Sequence, residues 1–293
     1  MPAIEVTGLR KHFGDVVALD DVGFTVGAGE LFGLVGPNGA GKTTTMRIML
    51  GVLAADAGEV RFGGDPIGYL PEGRGLYPRM KVRDQLVYLA RLHGLGINDA
   101  CTAAEHWLVR LGIAHHRDDE ARRLSLGDHR RAQLAAALVH DPALLVLDEP
   151  FAGLDPAAVD VVSTVLREKA ARGVPVVFAG DRLALAERLC DRVGIIRDGR
   201  MVAVGGVDEL TGGAGTRLRI ALDDPAPGWA DGLGGVRMLG DDGGATLLEL
   251  VNGTDEQSVL RAAMAAGRVT EFSRHRPTLT ELFHTAVGEG HGR

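Results

Sequence analysis

The sequence predicts a mixed α/β fold built around a parallel sheet, and three observations lead to this fold class. Between residues 31 and 197, near-continuous apolar runs alternate with segments of helical periodicity, a pattern typical of buried parallel strands joined by helices. Residues 3–26 contain short extended segments with polar and apolar alternation, which is typical of half-buried antiparallel strands. Beyond a glycine-rich stretch, strands and helices resume. We therefore expect one domain over 1–212 and a small α+β domain over 213–293.

The N-terminal part predicts an antiparallel β subdomain that leads into the first buried strand. The candidate strands are 3–7, 16–19, 22–26 and 31–35. The last of these is nearly all apolar and continues into a glycine-rich loop, after which residues 43–53 have helical spacing.

The remaining elements follow in chain order. A helical insert is expected over about 75–130, with its clearest helices at 82–93 and 102–111. The central sheet is completed by strands at 143–147, 174–179 and 193–197 and by helices at 130–139, 156–171 and 183–189. Residues 211–215 are rich in glycine and predict a linker. The small domain then has candidate strands at 217–222 and 245–251 and candidate helices at 255–266 and 278–287.

Composition excludes several classes of protein. The chain has 293 residues, of which 45% are hydrophobic and 24% charged, as in ordinary globular proteins. Its two cysteines, Cys101 and Cys190, exclude a disulfide scaffold. Without an apolar run that could span a bilayer or a secretory signal, a membrane role is expected to act through a partner. The net charge of −7 disfavours nucleic acid as a partner.

A phosphate-binding loop lies between the strand 31–35 and the helix that follows. The loop fits the pattern G-x-x-x-x-G-K-[ST] and reads Gly36, Pro37, Asn38, Gly39, Ala40, Gly41, Lys42, Thr43. Backbone N–H groups of such a loop and the following helix N-terminus, which includes Thr44, hold phosphate oxygens. Lys42 would reach the terminal phosphates, and the Thr43 hydroxyl would bind Mg²⁺. The sequence therefore predicts a P-loop NTPase core.

A second apolar strand ends in two acids, Asp148 and Glu149. In a parallel sheet its carboxyl end lies beside the phosphate loop, where Asp148 would reach Mg²⁺. Glu149 is then placed to polarise an attacking water. Taken alone, two adjacent acids are equally expected at a solvated strand end.

These motifs resemble those of the ATP-binding subunits of ABC transporters over about residues 1–210. Residues 124–131 (LSLGDHRR) are similar to the family signature, which implies that Ser125 and Gly127 contact ATP bound on a second subunit. Phe13 stands where the family has an aromatic residue stacked on adenine. The alternatives from residue chemistry are a helix N-cap for Ser125 and a core position for Phe13. The resemblance implies a homodimer or heterodimer of ATPase subunits.

Residues 68–78 resemble the segment that couples nucleotide to a membrane permease, with Glu72 in place of the usual Gln. Glu72 keeps an oxygen for Mg²⁺ or water, and this variant resembles the exporter branch of the family. A small C-terminal domain is frequent there, and residues 276–283 resemble its last helix. A generic amphipathic helix is the alternative for that segment. The stretch between Lys42 and Glu72 is shorter than in the family pattern, which we interpret as a trimmed surface loop.

Two further departures concern the chemistry. In the signature, Leu126 replaces a glycine and Asp128 replaces a glutamine, and the bulkier Leu126 limits backbone approach to phosphate. Asp181 stands where the family has a histidine on the terminal phosphate and attacking water. An ionised Asp cannot donate to phosphate, and two like charges at about 4 Å repel by roughly 4 kcal/mol at an effective dielectric of 20. Asp181 therefore either points away, with Arg182 as a replacement cation, or slows hydrolysis, unless it simply caps the helix 183–189.

The sequence predicts an ATP-binding and ATP-hydrolysing exporter subunit that uses ATP and Mg²⁺ and lies at the inner membrane face through a separate permease. Glu149, Lys42 and Asp181 are the candidate catalytic residues, and Thr43, Asp148 and Glu72 are the candidate metal ligands. The alternatives are a low-activity regulatory subunit of an asymmetric pair, a soluble ABC ATPase acting on ribosomes or DNA, and a P-loop kinase. His115 and His116 lack the spacing of a zinc site, and the arginine pairs at 122–123 and 130–131 are interpreted as a solvated or interface face.

Overall fold

A computed structural model describes residues 3–64, 66–73, 75–212, 216–225, 228–251 and 254–282. The chain divides into two compact units, Met1–Val207 and Asp208–Arg293. Within the described residues, no helix combines the length and apolar character needed to cross a membrane.

The first unit contains two sheets. Its strands are β1 (Ile4–Phe13), β2 (Val16–Val26), β3 (Leu31–Val35), β4 (Ala57–Phe62), β5 (Ile67–Leu70), β6 (Leu144–Asp148), β7 (Val176–Gly180), β8 (Arg192–Arg197) and β9 (Arg200–Gly206). Its helices are α1 (Lys42–Met49), α2 (Val82–Leu92), α3 (Ile97–Arg110), α4 (Leu126–Leu138), α5 (Pro156–Ala171) and α6 (Leu183–Leu189). A short helix, α7 (Val207–Gly212), begins at the last residue of this unit.

The predicted antiparallel subdomain is a sheet of order β2-β1-β4. The two expected strands 16–19 and 22–26 form one strand, because Asp21 takes a positive φ of 63° and the pairing with β1 shifts register without ending. Strand β4 was not predicted. It is largely exposed and charged, so it lacks the apolar pattern by which strands are recognised.

The central sheet has the order β5-β6-β7-β3-β8-β9, and all of its pairings are parallel except the hairpin of β8 and β9. Strands β3, β6 and β7 are buried along their whole length. The predicted fold class is therefore confirmed. The edge strands β5 and β9, which bury fewer side chains, were not predicted.

The core joins the two sheets. The rings of Phe24 on β2 and Phe32 on β3 stack with centroids 4.8 Å apart, and both side chains are buried. Buried aromatic pairs of this kind contribute about 1 kcal/mol beyond the area they bury. This packing fixes the antiparallel sheet against the strand that carries the phosphate loop.

The helical insert consists of α2, α3 and the start of α4. Two helix starts differ from the sequence prediction, because α3 begins at Ile97 and α4 begins at Leu126. The earlier start of α4 follows from Ser125, whose side chain accepts the N–H of Asp128 and caps the helix. The segment that resembles the family signature therefore forms the first turn of α4.

The second unit is a four-stranded antiparallel sheet with one helix. Its elements are β10 (Arg217–Asp223), β11 (Val236–Asp242), β12 (Ala245–Leu250), α8 (Glu256–Ala266) and β13 (Arg268–His275), in the sheet order β11-β12-β10-β13. Leu218 and Ile220 of β10 pack with Val259 of α8 in its core. Strands β11 and β13 were not predicted.

Two predictions about chain connections change. Residues 211 and 212, expected in a linker, lie in α7, and residues 213–215 fall outside the described part of the chain. Of the predicted helix 278–287, residues 279–282 are helical and 283–287 fall outside the described residues. Thr278 and Glu281 form reciprocal hydrogen bonds at its start, as in a capping box.

Candidate functional site

The phosphate loop has the backbone geometry that its glycines allow. A side chain at Gly36 would place its Cβ 2.0 Å from the carbonyl oxygen of Ile196. Gly41 has a φ of 105°, which disfavours other residues. Pro37 and Asn38 are exposed at the loop, whereas Ala40 is buried and Thr44 is half-buried in the first turn of α1. The loop therefore presents an open face beside the N-terminus of α1.

Lys42 is buried at this helix start and turns back along the loop. Its Nζ donates to the carbonyl oxygens of Gly36 at 2.7 Å and Pro37 at 3.1 Å. The same Nζ lies 3.8 Å from Glu149 Oε1. The ammonium group thus lies between the phosphate loop and the acid that follows β6.

Asp148, Thr43 and Glu72 form the oxygen-rich side of the site. Asp148 is fully buried at the end of β6, and neither of its carboxylate oxygens has a hydrogen-bond partner in the part of the chain that the structure describes. Burial raises the pKa of Asp148, while the Thr43 hydroxyl beside it lowers that pKa. Thr43 Oγ1 also donates to Glu72 Oε2 at 3.4 Å. A buried carboxylate without a partner next to a hydroxyl and a second carboxylate fits the oxygen ligands that Mg²⁺ takes.

Arg130 holds the backbone at Glu72 in place. Its guanidinium donates to the carbonyl oxygens of Pro71 at 2.8 Å and Glu72 at 3.0 Å, and Gln133 donates to the carbonyl oxygen of Gly73 at 2.6 Å. Arg130 is only 6% exposed and binds carbonyl groups of its own chain, so its interpretation as part of a solvated or interface face was wrong. The neighbouring Arg131 is also not free in solvent, because it pairs with Asp128.

Sequence reasoning did not identify Arg130 and Gln133 as residues that shape the site. A signal was present in the sequence. If Ser125 caps α4, Arg130 and Gln133 lie three residues apart in that helix and therefore on the same face. The partner surface could not be inferred, since the carbonyl groups they bind lie about sixty residues earlier in the chain.

Glu149 is positioned by an unusual backbone conformation. Its φ is 53°, in the left-handed region, and its N–H donates to the carbonyl oxygen of Ala179 on β7 at 3.0 Å. Burial, reinforced by the charge of Asp181 and opposed by the charge of Lys42, raises the pKa of Glu149 to about 7. Glu149 is therefore a stronger base than an ordinary glutamate.

The charge of Asp181 acts on Glu149, and Asp181 is not the N-cap of the next helix. The N-cap of α6 is Arg182, and no side chain forms a cap hydrogen bond there. The N-cap alternative for Asp181 is therefore wrong. Arg182 lines a groove with Leu154 and Pro156, whereas the charge of Asp181 is among the causes that raise the pKa of Glu149.

Ser125 and Gly127 lie at the start of α4, next to the loop after β6. Leu126, between them, is exposed, and a Cβ on Gly153 would lie 2.5 Å from Leu126 Cδ2. Ser125 does cap α4, as its simpler alternative predicted, and its side chain is also exposed toward solvent.

Phe13 ends β1 at the tip of the hairpin with β2. Its ring is 51% exposed, so the alternative that it is a core residue is wrong. Lys11 Nζ lies 5.7 Å from the ring centroid, and the same Nζ donates to Asp56 Oδ1 at 2.7 Å. An exposed aromatic ring of this kind can stack on a nucleobase.

Comparison with known proteins agrees with this geometry. A family model described as ABC transporter matches residues 19–152, and one described as the C-terminal domain of DrrA1-3-like ATP-binding proteins matches residues 208–287. The uncharacterized ABC transporter ATP-binding protein YhaQ of Bacillus subtilis is 34% identical over 293 residues, covering 97% of this chain and 98% of that protein.

Two further similarities concern export and structure. The Nod factor export ATP-binding protein I of Burkholderia lata is 38% identical over 213 residues, covering 69% of this chain and 70% of that protein. A solved structure of the ATP binding subunit of an ABC transporter is 28% identical, with a TM-score of 0.67, and the match covers 72% of this chain and 92% of that one. The resemblance inferred from the motifs is confirmed: the chain belongs to the family of ABC transporter ATP-binding proteins.

Proposed function

We propose that this chain binds and hydrolyses ATP to power an exporter through a separate membrane permease. The observation that carries the proposal is the arrangement of Lys42, Asp148 and Glu149 around the phosphate loop. Proteins of this family bind ATP, dimerise and work with membrane permeases. Export is supported by the similarity to Nod factor export proteins. A permease partner would place the chain at the cytoplasmic face of the membrane.

The roles of the residues follow from their chemistry. Lys42 and the loop N–H groups would bind the terminal phosphates and neutralise their charge. Thr43, Asp148 and Glu72 would hold Mg²⁺, which supplies positive charge to the phosphate oxygens when bound. Glu149 would accept a hydrogen bond from the attacking water, whose oxygen bonds to the terminal phosphorus as the bond to ADP breaks. Phe13 would stack on adenine, and Ser125 and Gly127 would meet the terminal phosphate on a second subunit.

A second candidate function is a low-activity regulatory subunit of an asymmetric pair. It is favoured by one observation: Asp181 places a negative charge near Glu149, where the family has a histidine. An ionised carboxylate there repels the terminal phosphate and cannot donate a hydrogen bond to it.

Mg²⁺-dependent ATP hydrolysis by the purified chain tests both candidates. We expect Glu149→Gln to abolish turnover while ATP still binds, and Lys42→Ala to weaken ATP binding. The motor function is supported if the parent turns over well and Asp181→His adds little. The regulatory function is supported if the parent binds ATP but hydrolyses it only after Asp181→His. Unchanged ATP affinity in Lys42→Ala would refute both.

A further inference from the structure

The hydroxyl proton of Ser125 is engaged inside its own subunit. Ser125 Oγ donates to Asp128 Oδ2 at 2.5 Å, and the same oxygen accepts the backbone N–H of Asp128 at 3.1 Å. A serine hydroxyl carries one proton, so it cannot also donate a full hydrogen bond to a phosphate oxygen. A phosphate that is to receive this proton must first displace the Asp128 carboxylate.

The Asp128 carboxylate is held in place by two neighbouring side chains. Arg131 pairs with its Oδ1, and His116 Nε2 lies 3.4 Å from its Oδ2. On its other side, His116 Nδ1 lies 2.7 Å from Asp119 Oδ2. Burial raises the pKa of Asp128, but the Ser125 hydrogen bond and the interactions with Arg131 and His116 outweigh it, so that pKa is lowered. The carboxylate is therefore ionised at neutral pH.

The position of this charge matters for an incoming anion. Asp128 is in the first turn of α4, where a negative charge is stabilised by the free N–H groups of the helix. A phosphate arriving at the same helix start would compete for that field and would be repelled by the carboxylate. A glutamine, which the family pattern has here, carries no charge.

We infer that Asp128 is a positioning residue that keeps the Ser125 hydroxyl turned into its own subunit and so opposes the closure of two subunits over ATP. The inference rests on the proposed function, because it takes the second subunit's ATP as the ligand of Ser125. The simpler role of the Ser125 and Asp128 pair is to cap α4, and that role predicts a different result. A cap alone would change stability without changing ATP-driven association.

The test compares ATP-driven dimerisation in chains that carry Glu149→Gln, which retain bound ATP. Sedimentation velocity with Mg²⁺ and ATP gives the protein concentration at which half of each variant is dimeric. We expect Asp128→Asn, which removes the charge, and Asp128→Ala, which removes the acceptor, each to lower that concentration by about tenfold. The matched control is Asp119→Asn, which removes a carboxylate from the same histidine but has no bond to Ser125. Its effect should stay within about twofold.

Two further measurements decide how the gain arises. Adding Ser125→Ala to Asp128→Ala, the variant that removes the acceptor, should reduce the gain, because the released hydroxyl is then absent. The affinity of the monomer for a fluorescent ATP analogue should be the same in all variants. Among the described residues, the hydrogen bonds and ion pairs of Asp128 are with Ser125, His116 and Arg131, outside the phosphate loop. Thermal unfolding reports any loss of the helix cap separately.

The inference is overturned if both Asp128 variants dimerise at the parent's concentration, or if Ser125→Ala leaves the gain of Asp128→Ala undiminished. If the parent binds ATP normally and the Asp128 variants dimerise at the same concentration as the parent, only this inference is refuted. A parent that binds no ATP refutes the proposed function and this inference with it.

Discussion

Replacing His140 with Phe should flatten the dependence of stability on pH in the first unit. The His140 ring is 7% exposed and stacks on His93 with centroids 3.7 Å apart. Its Nε2 lies 3.2 Å from the carbonyl oxygen of Ile67. A carbonyl only accepts, so Nε2 carries the proton. The buried Nδ1, which has no partner among the described residues, must be protonated to charge the ring.

The magnitude follows from the shift of this group. Burial, reinforced by His93, lowers the pKa of His140 from its ordinary value of 6.5 to about 4; Ile67 and Asp141 oppose the shift, and Lys169 adds to it. Because the folded-state pKa is depressed, the unfolded chain binds the proton first as the pH falls. Stability is therefore lost between about pH 6.5 and 4. From pH 7.5 to pH 5 the loss is about 2 kcal/mol.

Urea denaturation at pH 7.5 and pH 5 measures this loss. The chain has two tryptophans, so a Trp229→Phe background leaves Trp107 as the fluorescent reporter of the first unit. In that background, His140→Phe keeps a stacked ring and should remove about 2 kcal/mol of the pH dependence. The matched control is His93→Phe, in which His140 stays buried and most of the dependence should remain. Equal losses in the parent and in His140→Phe would refute the reasoning.

Three further changes test the site. Arg130→Met removes two charge-assisted hydrogen bonds to the backbone at Glu72, so we expect a loss of about 3 kcal/mol in urea denaturation and a higher Mg²⁺ requirement for hydrolysis; a loss below about 1 kcal/mol would contradict the tether. Gly41→Ala places a Cβ 2.6 Å from Leu19 Cδ2 at a φ of 105°, so ATP binding by fluorescence titration should be lost. Phe13→Ala should weaken ATP binding about tenfold with unchanged thermal stability, because the ring is exposed; equal affinities would argue against base stacking.

The phosphate loop and the apolar strands could be predicted because their signals are local. The loop carries its ligand groups within one short contiguous segment that ends in Thr43, and β3, β6 and β7 are buried on both faces. Each therefore has an apolar run that needs no knowledge of its neighbours. The strand β4 has no such run, since its stability comes from pairing with β1 and not from burial of its own side chains.

The orientation of side chains could not be predicted in the same way. The sequence allowed two positions for Phe13, a core residue or an exposed ring that stacks on adenine. In the structure Phe13 lies at the tip of the hairpin of β1 and β2, where its ring is exposed. It left three alternatives for Asp181: a helix cap, a side chain that points away from the site, and a charge that slows hydrolysis. The N-cap of α6 is Arg182, which excludes the first. It assigned Arg130 to a solvated or interface face, but packing of α4 against the segment around Glu72 buries it.

By itself, the sequence determined the fold class, the family motifs and the candidate groups for binding phosphate and Mg²⁺, because these depend on residue type and spacing along one segment. Only the tertiary structure decided that Lys42 lies near Glu149, that Asp148 has no hydrogen-bond partner among the described residues, and that Asp128 holds the Ser125 hydroxyl. Contact and burial depend on which distant segments pack together. A spacing along the chain does not specify that packing, and the free energy of a buried charge or hydrogen bond is set by it.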